Sequence, residues 1–144
     1  MKKFTLFALF VFTIALLSTN ALAQQKFSKF VTEPERWDAI ELSAPAECVG
    51  NPEECAVKML TELSIEVGDE PDFSVYRLGE VAEKNVTVVF VSRLLENDES
   101  VLGKLYRLEL STNGAGDESF TLNSVGQLFQ CMDGPVGWRK TACP

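Results

Sequence analysis

The chain of 144 residues contains no histidine. That absence removes the Ser-His-Asp and Cys-His nucleophile arrangements, a histidine general base and every imidazole metal ligand. Acid–base work, if there is any, falls to carboxylates. Positive charge is scarce as well: 13 Lys and Arg stand against 21 Asp and Glu, a net charge of −8. Phosphate backbones are held by Lys and Arg, so nucleic acid is excluded as a partner, and anionic membrane surfaces are disfavoured for the same reason. A surface of this sign suits a basic protein. No motif for a cofactor is present and no EF-hand spacing occurs, so no cofactor is expected.

Apolar runs are short too, and the longest stands at the front. Lys2 and Lys3 precede an apolar stretch over 4–17, and a small, polar tail ends in Ala21-Leu22-Ala23 before Gln24-Gln25. This order, with an A-x-A-like site, is the pattern of a cleavable secretory signal peptide over residues 1–23. The apolar run falls short of the ~20 residues of a spanning helix, so no membrane insertion is expected after cleavage. Loss of Lys2 and Lys3 with the leader moves the net charge from −8 to −10. The expected destination is the bacterial periplasm or the exterior.

The remaining length suits one domain. Its four cysteines, Cys48, Cys55, Cys131 and Cys143, form an even set in an exported chain, which points to two disulfides. Three pairings are possible. Spacing favours Cys48–Cys55 and Cys131–Cys143, because each pair brackets turn residues: Gly50-Asn51-Pro52 in the first, Asp133-Gly134-Pro135 in the second. Neither spacing is a redox Cys-x-x-Cys, so the expected role is structural.

Residues 24–43 read as a flexible N-terminal segment, with a short helical turn over 36–42 that presents Trp37 and Ile40 on one side. Residues 44–144 read as a single α+β domain. Asn51-Pro52-Glu53-Glu54 is a helix start, with Asn as N-cap and Pro at the first helical position. Cys55, Ala56, Met59, Leu60 and Leu63 then share one helical face. The period changes after Asp72. Strands are expected over 73–78, 85–95, 101–110 and 119–131, the second apolar on both faces and therefore central, with Gly126 marking a bulge or bend. The expected architecture is one helix packed on a four-stranded antiparallel meander, a cystatin-like or NTF2-like layout.

The closing segment, Leu128-Phe129-Gln130-Cys131 followed by Gly137-Trp138-Arg139-Lys140-Thr141-Ala142-Cys143-Pro144, resembles the ends of small exported bacterial proteins of unassigned role. In these a last strand delivers a Cys, a Gly-rich loop carries a Trp, and the chain closes on Cys-Pro. The likeness to type IV pilin ends is superficial, since the Gly-Phe leader junction and the acidic fifth mature residue are missing. The resemblance implies no activity.

Two features are candidates for function. Asp69, Glu70 and Asp72 precede the first strand, and Glu96, Asp98 and Glu99 lie between the second and third. In a meander these two places share one end of the sheet. Gathered carboxylates receive a basic partner, hold a hard cation or shift one another's pKa. Trp138, in the loop that Cys131 and Cys143 close, is a candidate anchor for a partner. The leading expectation is an exported, non-enzymatic binding module. The alternatives are a carboxylate-based envelope hydrolase, which needs two carboxylates facing a cleft with one pKa raised, and an inhibitor or immunity-type protein against a basic target.

Overall fold

The computed structural model describes residues 27–95, 98–114 and 116–144. The expected leader, 1–23, lies outside them. Among the described residues no helix is long and apolar enough to cross a membrane.

The chain opens with a four-residue helical turn, α1 (Lys29–Thr32), and a 3-10 turn over Pro34–Arg36, then β1 (Asp38–Ile40) and β2 (Glu47–Val49). The one substantial helix among the described residues, α2 (Pro52–Glu62), leads to four long strands: β3 (Asp72–Val81), β4 (Lys84–Leu94), β5 (Val101–Thr112) and β6 (Ser119–Cys131). A short β7 (Trp138–Arg139) ends the order. All seven strands belong to a single antiparallel sheet with the path β1-β6-β5-β4-β3, while β2 and β7 also pair with β6.

This corrects the expected α+β layout of one helix on a four-stranded meander, cystatin-like or NTF2-like. The protein is mostly sheet, and β6 is not an edge. Its outer side is covered piecewise, by β2 at 119–121, β1 at 125–127 and β7 at 129–130. Strands of two or three residues are too short to show a period of two, so the pairing comes from docking against β6 rather than from local pattern.

The sheet buries both faces. On the first, α2 lays Cys55, Ala56, Met59 and Leu60 against Val89 and Val91 of β4, Tyr106, Leu108 and Leu110 of β5, and Phe120, Leu122 and Val125 of β6. Asn51 caps α2 by accepting from the Glu54 N–H at 2.8 Å, and Pro52 occupies the first turn. The Cys48–Cys55 disulfide joins β2 to the first turn of the helix, and Cys131–Cys143 closes the C-terminal loop; no cysteine is free. Two disulfides fit an oxidising, extracytoplasmic compartment.

The second face is covered by residues 27–37, the stretch read above as part of a flexible segment. The expected helical turn over 36–42 is instead the 3-10 turn and β1, so Trp37 and Ile40 fall on opposite faces: Ile40 packs on the helix side, Trp37 on the other. Trp37 is 1% exposed and lies across Gly126, where a Cβ would stand 2.5 Å from the Trp37 Cβ. Gly126 is therefore kept bare by a crossing tryptophan. It sits in register opposite Arg107, and the irregularity expected there falls at Asn123. Phe30, Trp37, Phe90, Tyr76 and Phe27 make a continuous row of tilted and edge-on rings, with centroids 5.1 to 6.5 Å apart.

Arg107, 1% exposed, fastens this cover. Its Nε and Nη2 donate to the Val31 carbonyl at 3.1 and 2.9 Å, and Nη2 also donates to Glu109 at 2.8 Å. A buried guanidinium is tolerable because its donors have partners.

Candidate functional site

The acidic end is built by the way α2 stops. Ser64 adopts a left-handed conformation (φ 60°), the Ile65 N–H donates to the Leu60 carbonyl at 2.9 Å, and the Ser64 N–H donates to the Thr61 carbonyl at 2.9 Å. This is a Schellman stop with serine where glycine is usual. The chain then turns towards the sheet, Val67 enters the helix-side core, and Arg93 of β4 donates from Nη1 to the Glu66 carbonyl at 2.7 Å. The Arg93 side chain also runs beneath Gly68. The guanidinium thus fixes the loop backbone, which presents Asp69, Glu70 and Asp72 outward.

Across from this loop lies the turn between β4 and β5. Asp98 Oδ1 accepts from the Ser100 N–H at 2.9 Å, the Val101 N–H at 3.0 Å and the Ser100 hydroxyl at 3.2 Å. The backbone N–H of Ser100, then that of Val101, hold the Asp98 carboxyl below the usual carboxylate range, and Lys104 adds to the effect. Asp98 is a turn-former first. A general acid needs the opposite shift, so this carboxyl is not the acid of a hydrolase pair.

The two loops do come together. Asp69, Glu70, Asp72 and Asp98 line one open cleft of about 860 Å³, whose wall also carries Arg93 and Ser92. Glu99 is exposed in the same turn but is not on that wall, and Glu96 lies outside the described residues. Among the described residues no group of three or more Asp, Glu or Cys side chains is placed to hold a metal ion. Behind the cleft, burial holds the Tyr106 phenol above its ordinary range, with Arg93 partly offsetting the shift, so it stays neutral at physiological pH.

Trp138 occupies the same end of the sheet but, by strand alternation, the other face. It pairs with Gln130 on β6, and its ring reaches Gly103 of β5, where a Cβ would meet the indole at 3.4 Å and the Arg93 carbonyl at 3.1 Å. The indole is 38% exposed beside Leu94, which is 73% exposed. Sequence spacing placed the two acidic runs at one end and gave no position for Trp138 relative to them.

Arginines on neighbouring strands commonly pair across the ladder with acids. Arg107 instead pairs along its own strand with Glu109 and donates to Val31, and Arg93 reaches Glu66 in the loop. The signal that could have found Arg107 is its position: a cation flanked by Leu105, Tyr106 and Leu108 on a central strand must have buried acceptors. No family model matches this chain, and no curated protein or solved structure matches it either.

Proposed function

We propose that the protein is an exported binding module, carried to the periplasm or beyond by the leader over 1–23, that receives a basic protein at its acidic end. One observation supports this reading above the rest. Four carboxylates, from the segment between α2 and β3 and from the β4–β5 turn, line one cleft against a single arginine in its wall, so negative charge prevails there. A field of one sign in a cleft speeds and orients the arrival of the opposite charge. An inhibitor of a basic enzyme or toxin would use the same surface on a single target.

The test removes charge and keeps shape. In Asp69→Asn/Glu70→Gln/Asp72→Asn the fold should persist, because exposed carboxylates without partners change stability by less than about 0.5 kcal/mol. Association with a basic partner captured from envelope extract should slow by about tenfold at low salt, with a flatter salt dependence. Unchanged rate and salt slope would remove the acidic end from consideration and leave Trp138.

A further inference from the structure

β3 is the one long strand with a vacant side among the described residues. It pairs with β4 along one edge, and no described strand pairs with the other. The run before its bulge, from Asp72 to Arg77, is regular and paired residue for residue with β4, so its outer edge presents a row of main-chain donors and acceptors. Exposed edges of this kind accept an added strand unless charge, proline or distortion blunts them. Here Pro71 stands just before the strand, charge falls only at the two ends of the run, on Asp72 and Arg77, and the distortion comes late, at Leu78, where the register slips before Gly79.

Beside this edge, on the helix-covered face, runs a groove. Its floor holds Phe73 of β3, Val57 of α2 and Val67, a space of about 470 Å³. Phe73 is left 37% exposed there. The rim is acidic on balance: Glu53, Glu54 and Asp69 border this space against one cation, Lys58, and Asp72 opens the strand itself. The edge and the apolar space therefore meet at Phe73, beside a net negative charge.

We propose that the partner binds as an added β-strand along β3, as an extended segment in which apolar side chains enter the groove between β3 and α2 and Lys or Arg side chains face the acidic rim. A strand presents alternate residues to alternate faces, so main-chain bonds to the β3 edge would supply affinity and the groove would read every second side chain. A second copy of this chain is a poor occupant, because it would bring the same overall excess of acid to the seam. The inference rests on the binding-module reading above and adds the binding mode.

The test uses the purified protein and three synthetic peptides: (Lys-Val)4, (Glu-Val)4, and (Lys-Val)4 with N-methyl groups on alternate residues. Amide hydrogen exchange is followed residue by residue. The expected result is slowed exchange of alternate β3 amides between 72 and 77 with (Lys-Val)4, and at least about tenfold weaker binding of both the acidic and the N-methylated peptide, as several main-chain bonds or the charge match are lost. Val57→Arg should block the groove and weaken (Lys-Val)4 similarly, while β4 and β5 amides keep their protection. If the N-methylated peptide binds as well as its parent, and changes are confined to residues 69, 70 and 98, strand addition is overturned while the acidic end stands. Absence of binding by any basic peptide at low salt overturns both. Concentration-dependent protection of β3 without peptide assigns the edge to a second copy and overturns the proposal.

Discussion

The two faces of the sheet are covered by opposite means. On one, an eleven-residue helix lies over an aliphatic core, and almost everything that fixes it is local: an N-cap, a proline in its first turn, a disulfide seven residues long and a one-turn stop. On the other, a segment with four helical residues and a 3-10 turn does the same work without an amphipathic period of its own. It is held by tertiary contacts: Arg107 on the Val31 carbonyl, the Trp37 indole on the Phe30 carbonyl at 2.9 Å, and Trp37 across Gly126. Local propensity can specify a cover before it docks. A cover without it has to be specified by the surface that receives it.

The largest effect should therefore come from the second face. Arg107→Leu would strand the Val31 carbonyl and leave Glu109 without its cation, costing about 3 kcal/mol or more. Chemical denaturation would measure the loss, and hydrogen exchange should find it concentrated at 31–33, with α2 amides largely unaffected. Arg107→Lys should recover only part, since an ammonium cannot copy the planar fork. Equal loss of protection over both faces would erase the distinction.

Removing the helix staple is next. Cys48→Ala/Cys55→Ala opens a short ring whose closure is worth roughly 2.5 kcal/mol by loop entropy. The melting temperature should fall, and protection should drop first over 52–60 while Val31 and Glu33 amides hold. The smallest effect is a gain. Ser64→Gly relieves a left-handed serine at the helix stop and should stabilise the first face by about 1 kcal/mol, read as a shift of the denaturation midpoint.

The same contrast decides what was legible in the sequence. The helix announced itself through Asn51-Pro52 and the spacing from Cys55 to Leu60, and the four long strands overlap the runs read from their branched and apolar residues. The turn between β3 and β4 was hidden, because Ala82 and Glu83 both take positive φ in a two-residue turn that normally advertises itself with Asn or Gly. The additional strands were hidden too: Asp38–Ile40 and Trp138–Arg139 carry no strand signature of their own and exist because β6 offers an edge. In the candidate site the charge runs were visible and so was their shared end. Asp98's commitment to its own turn and the reach of Arg93 to Glu66 were not, since each depends on where a side chain points once the sheet is formed.

The contact between Arg107 and Val31 spans 76 positions of chain. Strands β4 to β6 each close on their predecessor, a search over short distances. The N-terminal cover has nothing to settle on until β4 to β6 are in place, because its seat is made of Phe90, Arg107 and Gly126. In a chain delivered from its front end, the part that arrives first is then the part that must wait longest, and its docking belongs after the main folding barrier rather than before it. Until that moment the row of aromatic rings on the second face stays open to water and to other chains, which makes the interval between delivery and docking the period in which this protein is most exposed to misassembly.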